Sequence, residues 1–497
     1  MKIGKSVRFV TIVSALVFVL PLLFVLPAGA AFALPSGTPG ESPTNPATTQ
    51  SELEAAIAAA TVDDTIYLSG TIQLDSTVDI DTSLTLQGDG QSTTVITLAD
   101  EGYRHFTTSG SASLTLNNLT LEGINNTTSG GGGVETDDDL VMNDCTVRDC
   151  YTDYFLGGAG ICVYSEATLS RCTFEGNSAD GDAGGVYVGG GATLTDCIFT
   201  NNSVQSATSD GGGAYVGGDA TVADCTFTGN SAGTSGGGLS AAFAELTNCT
   251  FDGNTAGDSG GGLHTYTSTT ITNSTLTGNS AGNEGGGLFA AEYATLTNCT
   301  VADNSAVNSG GGLVVGYTAD IKGSIVAGNA ASSGANVYSG GASWPDTNGV
   351  STDGNYNIIG GDAAALTALF GTNALADNGG LTQTILILAG SLAYDAIPTG
   401  TAWLPANDQR GIVRPFGAGG DIGAVELDVT PGSGPPTPHS GGSTGGNSGG
   451  NSGGGSTLPG TGDTSVLLWA AVLVCAGLSL SLLLIAASSR RKNRRTI

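Results

Sequence analysis

The chain repeats itself with a period close to 25 residues. Nine segments align: LTLNNLTLEG (114–123), LVMNDCTVRDC (140–150), ATLSRCTFEGN (167–177), ATLTDCIFTNN (192–202), ATVADCTFTGN (220–230), AELTNCTFDGN (244–254), TTITNSTLTGN (269–279), ATLTNCTVADN (294–304) and ADIKGSIVAGN (319–329). Glycine clusters follow, as at Gly211-Gly212-Gly213 and Gly236-Gly237-Gly238. One column reads Leu119, Cys145, Cys172, Cys197, Cys225, Cys249, Ser274, Cys299, Ser324. Such a period means a solenoid, in which each unit buries its apolar face only by stacking on the next. Within a unit, Cys249 and Phe251 alternate with Thr250, and Leu194 with Thr193 and Thr195. That is the period of a strand. Units this short leave no room for crossover helices, so the strands stack in parallel, coil on coil. Parallel connections are right-handed. The expected fold is all-β: a right-handed parallel β-helix of nine such coils, roughly 40 Å long. Earlier strands at 65–68, 83–86 and 94–98 extend it.

The columns then acquire roles. Leu121, Val147, Phe174, Phe199, Phe227, Phe251, Leu276, Val301 and Val326 form an inward apolar stack, with the cysteine column beside it. Asn118, Asp144, Arg171, Asp196, Asp224, Asn248, Asn273, Asn298 and Gly323 lie between strands. Asn, Asp and Gly tolerate left-handed backbone, so this column predicts a corner with stacked, mutually hydrogen-bonded side chains, which Arg171 interrupts. Asn177, Asn202, Asn230, Asn254, Asn279, Asn304 and Asn329 predict a second corner.

The F-x-x-N then G-G-A/G-aliphatic pattern, as in Phe227…Asn230 with Gly236–Leu239 and Phe251…Asn254 with Gly260–Leu263, is similar to the repeats of chlamydial polymorphic outer-membrane proteins. The resemblance implies a β-helical surface adhesin, without that family's outer-membrane barrel. Near the far end come Asn355-Tyr356-Asn357-Ile358-Ile359-Gly360, then Ala376-Asp377-Asn378-Gly379-Gly380-Leu381-Thr382. Asp408-Gln409-Arg410-Gly411 with Arg414-Pro415, and Asp421-Ile422-Gly423-Ala424-Val425-Glu426, follow in order. Together these resemble the choice-of-anchor Q family, which implies a C-terminal β cap over about 351–429 on a surface protein and names no activity. Arg410 and Arg414 are expected to pair with Asp408, Asp421 or Glu426 and hold this cap together. At the other end, Ser51 and Glu54 read as a capping box opening a helix over 52–60 that covers the first coil. An uncovered coil would invite edge pairing.

The termini carry address signals. Lys2, Lys5 and Arg8 precede an apolar run from Phe9 to Pro27, and Ala31-Phe32-Ala33 gives a cleavage site after Ala33. Leu458-Pro459-Gly460-Thr461-Gly462 precedes an apolar stretch over about 466–487 and then Arg490, Arg491, Lys492, Arg494 and Arg495. About 20 apolar residues span a bilayer as a helix, and the basic tail stays cytoplasmic. This three-part order resembles the sortase substrates of Gram-positive bacteria. It implies cleavage between Thr461 and Gly462 by a sortase transpeptidase and covalent attachment to peptidoglycan. The expected organisation is a signal peptide (1–33), a linker (34–50), cap and first coils (51–113), β-helix repeats (114–350), the C-terminal cap (351–429), a Gly/Ser/Pro-rich linker (430–457) and the sorting signal (458–497).

Charge narrows the partners. The net charge is −30, and eight of the 14 basic residues lie in the two terminal signals. Nucleic acid and anionic lipid both need basic patches, so neither is expected as a partner. No catalytic triad, metal spacing or paired carboxylates stand out. Asp137-Asp138-Asp139 is the one dense acidic run, a solvated turn or at most a calcium site. His105, His264 and His439 are scattered. The cysteine column reads as buried thiols; Cys150 and Cys162 stand outside it and are the disulfide candidate of an exported protein. Thr168, Thr193, Thr221, Thr270 and Thr295 form one outward row, with Ser170, Thr195, Thr247, Thr272 and Thr297 beside it. Such rows suit ice, sugars or protein, and threonine also simply favours exposed strands. The expected function is a cell-wall-anchored surface protein that binds an extracellular glycan or protein, as an adhesin or matrix component. A polysaccharide lyase or hydrolase is the alternative, marked by a calcium or carboxylate cluster in a groove along one solenoid face.

Overall fold

The computed structural model describes residues 38–428, apart from 101, 124–131, 154–156, 341, 344–353 and 362. The chain divides into two units, residues 1–441 and 442–497, and the described residues all belong to the first.

Each full coil has the same parts. Coil 239–262 is an example. A long strand (Leu239–Thr247) ends at Asn248, a short strand (Thr250–Asp252) ends at Gly253, and a two-residue strand (Thr255–Ala256) leads into a glycine-rich return. In most coils the long strand is two pieces, such as Leu263–Thr265 and Thr269–Thr272. Stacking the coils gives three sheets of twenty-one, twelve and seven strands among the described residues, parallel throughout except where Ala342–Ser343 turns back antiparallel on Val337–Ser339. The alignment proposed from sequence is the register observed: Phe174, Phe199, Phe227, Phe251, Leu276 and Val301 pair in turn. The fold is the parallel β-helix that the repeat period demands.

Identical residues stack because parallel in-register coils bring them together. The rings of Phe174, Phe199, Phe227 and Phe251 lie nearly parallel, with centroids 5.1, 4.5 and 4.6 Å apart. The six column cysteines are buried free thiols, and burial pushes Cys249 and Cys299 up to about 12. The asparagine column is a buried ladder. Asn177 Nδ2 donates to Asn202 Oδ1 at 2.9 Å, and each asparagine repeats this to the next coil as far as Asn329 and Asn336. The same Oδ1 accepts the preceding asparagine's backbone N–H, and the second Nδ2 proton goes to a strand carbonyl, as from Asn254 to Phe227. A bend that would strand buried polar groups is thereby satisfied.

The other corner column is left-handed throughout, from Asn118 (φ 54°) to Gly323 (φ 55°). Arg171 adopts the same conformation (φ 53°) and donates twice to Asp144 at 2.7 Å. Only Asp144–Arg171 and Asp224–Asn248 bond side chain to side chain. Asn273 and Asn298 instead donate to the carbonyls of Asn407 and Asp421. The mutual hydrogen bonding expected of this column is therefore limited to two pairs, and the C-terminal segment takes the amides of two further members, Asn273 and Asn298.

The N-terminal helix, α1 (Gln50–Ala59), starts earlier than expected. Its cap is Thr49, whose hydroxyl accepts from Glu52 N, and Glu52 reaches back to the N–H and hydroxyl of Thr48. Ser51, which also has a glutamate three residues on, is inside the helix, because it is Glu52 and not Glu54 that reaches back to the chain before the helix. Leu53, Ala56 and Ile57 are buried against the first coil. At the other end, Ile358–Ile359 adds the last rung to the second sheet, beside Ile325–Ala327. Helix α2 (Ala363–Phe370) follows. The chain then does more than close the end: it runs back along the flank. Gln409 bonds Cys249 O and the hydroxyls of Thr250 and Thr275, and Ala424 N donates to Thr300. Thr250, Thr275 and Thr300 are consequently buried. Arg410–Asp408 and Arg414–Glu426 are the ion pairs expected here, and Arg414 also donates to Asp421 O.

Candidate functional site

The outward side of the broad sheet carries a column whose members differ in chemistry but share a register. It runs Glu135, Cys162, Tyr187, Tyr215, Ser240, His264, Phe289, Val314, Tyr338. Each follows an inward aliphatic residue such as Val186, Ala214, Leu263 or Leu288, so strand alternation points it out of the core. The rings stack along the axis: Tyr187 on Tyr215 at 5.3 Å and 9°, His264 on Phe289 at 5.2 Å and 9°. Tyr164 meets Tyr187 edge-on at 6.1 Å.

A polar row borders this column. Asp182 Oδ1 accepts the N–H of Asp210, and Asp210 Oδ1 accepts the N–H of Ser235. Bridges continue the row through Ser259, Glu284, Ser309 and Ser333. The row stands hard against the strands because Gly236 and its equivalents turn left-handed there (φ 68°). A Cβ at Gly236 would lie 2.6 Å from Leu239 O. Burial pushes the carboxyls of Asp182 and Asp210 above the usual range. Adjacent coils are about 4.8 Å apart, so these two acids flank Tyr187 and Tyr215 side by side.

Ser240 interrupts the rings. In the next coil Tyr266 leaves the strand, meets His264 edge-on at 4.6 Å, and donates its hydroxyl to Asp210 Oδ2. Ser240 Oγ lies 3.5 Å from His264 Nδ1. Burial holds His264 neutral, its value near 4, and burial with the Asp210 bond holds the Tyr266 phenol protonated. The arrangement can stack against a ring and accept hydrogen bonds from it, which are the two ways a protein grips a sugar.

Cys162 and His264 lie on this column, and the other residues singled out from sequence lie elsewhere. Ala33, the Leu458–Gly462 motif, the apolar stretch over 466–487 and His439 fall outside the described residues. No described helix is long and apolar enough to cross a membrane. Asp137 and Asp139 are exposed on a turn, where Asp139 Oδ1 accepts from Ser165 and Glu166. Among the described residues no three His, Cys, Asp or Glu side chains gather as a metal site. Cys150 and Cys162 are separate buried thiols; Cys162 lies on the outward column and Cys150 beside the asparagine ladder. His105 is fully buried against Glu122 O. The threonine rows are in register as read, on the other half of the same sheet, interrupted by Glu245 and Ala223. The ring column was missed because only the aliphatic position of the glycine motif was followed. The next residue, in Gly184-Gly185-Val186-Tyr187 and Gly212-Gly213-Ala214-Tyr215, is the signal.

This geometry matches a known architecture. The chain belongs to the family described as the right handed beta helix region, whose model matches residues 94–204 and 184–355, together just over half of the chain. Among solved structures it is similar to ORF18 of Geobacillus virus E2 (17% identity, TM-score 0.32, 53% of this chain and 55% of that one). It is also similar to pectate lyase Pel9A (15%, 0.31, 75% and 90%) and to the A-module of the Azotobacter vinelandii mannuronan C-5 epimerase AlgE6 (15%, 0.25, 59% and 95%). The chain thus spans about half the length of the viral protein. No curated protein matches.

Proposed function

We propose that this protein binds a polysaccharide along the ring column of its broad sheet, displayed at the cell surface. The observation that carries the reading is a register of rings on the outward side of the sheet, with Tyr187, Tyr215 and Phe289 partly exposed and His264 buried against Tyr266. Rigid aromatic rings supply contact area at little entropic cost. An extended pyranose chain advances by close to one coil per sugar, so it can follow the column. The surface location rests on the sequence signals. In that reading a sortase joins Thr461 to peptidoglycan, and the 430–457 linker holds the β-helix clear of the wall.

A second reading has its own support. Asp182 and Asp210, on adjacent coils with carboxyls raised by burial, are a pair of the kind that general acid–base cleavage of a glycoside needs. One experiment separates the two. The full-length protein is incubated with a panel of wall, plant and host polysaccharides, and mass spectrometry reads retained and shortened glycan. Retention without shortening, reduced at least tenfold in Tyr187→Ala and Phe289→Ala, is expected. Shortened products that vanish in Asp210→Asn would replace binding with cleavage. The anchor is tested separately: Thr461→Ala should move the protein from the wall fraction to the membrane and medium, and wall retention would sink the sorting claim.

A further inference from the structure

If the ring column binds glycan, as proposed above, its gap at Ser240 is the place where a sugar can enter. Tyr215 and His264 occupy the same register position with only Ser240 between them. At about 4.8 Å per coil their ring planes stand roughly 10 Å apart, room for one saccharide ring between two aromatic ones. Ser240 floors this slot, and Asp210 lines its side. The slot is filled by Tyr266, which comes from a turn rather than a strand, is 47% exposed, and is held by the bond from its hydroxyl to Asp210. A ring that enters displaces Tyr266 and leaves Asp210 without its side-chain donor. A guest carrying its own cationic donor replaces that bond with a charge-assisted one.

Charge decides the class further. All six basic residues of the described segment are already ion-paired: Arg104 with Glu135, Arg148 with Glu122, Arg171 with Asp144, Lys322 with Asp320, Arg410 with Asp408 and Arg414 with Glu426. Around the slot stand Asp182, Asp210, Asp258 and Glu284. A polyuronate would meet carboxylates and no free cation.

We infer that the slot between Tyr215 and His264 binds one sugar of a polysaccharide bearing free amino groups, of the glucosamine type, with Tyr266 as its displaceable occupant and Asp210 as the acceptor of the ammonium.

The test uses the full-length protein in detergent micelles and titration calorimetry with three tetrasaccharides: glucosamine, N-acetylglucosamine and galacturonate. The glucosamine tetramer should bind at least tenfold tighter than either other. Ser240→Phe, which completes the column and plugs the slot in place of Tyr266, should weaken it tenfold or more. Tyr266→Ala should tighten it. Asp210→Asn should erase the preference over the N-acetylated form. Equal binding of all three tetramers, or full affinity in Ser240→Phe, overturns the slot while leaving the glycan-binding reading intact. If no tetramer or longer glycan binds, both fall.

Discussion

At the scale of single residues the solenoid depends on side chains that satisfy backbone where the chain bends. Asn254 accepts from Asn230 N and Nδ2, and donates to Phe227 O and Asn279 Oδ1, all within 3.0 Å and all buried. Alanine leaves at least two buried partners unpaired, at roughly 1–3 kcal/mol each. Asn254→Ala is therefore expected to lower stability by about 3–5 kcal/mol in urea unfolding; a loss under 1 kcal/mol would mean that the ladder is dispensable. His264 makes a pH-dependent contribution. Its native value is near 4 and its unfolded value about 6.5. Below 6.5 the unfolded chain takes up the proton first, so the neutral ring's contribution is complete above 6.5 and is lost as the pH falls towards 4. The full span is about 3 kcal/mol. His264→Phe, which continues the stack on Phe289, should remove that slope. The stability of the wild type relative to the variant should fall between pH 6.5 and 4, and parallel profiles would refute the assignment.

At the scale of elements the two ends obey different rules. Helix α1 closes the first coil with local chemistry, a threonine cap and a glutamate, and was readable two residues out of place. The C-terminal segment is held by contacts far apart in sequence. Gln409 meets Cys249 160 residues away, and no local pattern announces that. What was legible was its internal pairing, because Arg410, Arg414 and their acidic partners sit within one short stretch. Arg414 and Glu426 side chains are both fully buried, 3.1 Å apart. Removing one partner of a buried pair leaves an uncompensated charge, at about 3–5 kcal/mol, whereas replacing both with apolar groups is often neutral. Arg414→Leu should thus destabilise the flank segment by roughly that amount, seen as early cleavage after residue 360 in limited proteolysis. Arg414→Leu with Glu426→Leu should recover most of it. Failure of the double variant to recover would assign the pair's role to the backbone groups it satisfies, the carbonyls of Asp421 and Gly423 on Arg414 and the N–H groups of Phe416 and Asp421 on Glu426.

At the scale of the whole molecule, legibility followed repetition. Columns that repeat one residue type, the phenylalanines, cysteines and corner asparagines, could be aligned from sequence and proved to be in register. The outward column escaped because Tyr, Tyr, Ser, His, Phe and Val share a position but no chemistry, and because Tyr266 reaches Asp210 across 56 residues. The same logic makes the last prediction. A coil pairs its strands only with those of its neighbours, so excising one whole coil in phase should leave the rest of the stack intact. Removing 178–202 joins Asn177 to Ser203, and the ladder continues because Asn177 and Asn202 are equivalent positions. Removing 255–279 joins Asn254 to Ser280 and is equally in phase. The difference lies on the flank. The second deletion takes away Asn273 and Thr275, the partners of Asn407 and Gln409, and brings Asn248 and Asn298 one coil closer together than the segment that spans them. Several buried groups would lose partners at about 1–3 kcal/mol each. The first deletion should keep a single cooperative melt close to that of the parent. The second should either fall by at least 3 kcal/mol more or melt in two steps as the flank segment detaches. Equal melting of the two would show that the segment follows the coils rather than bracing them.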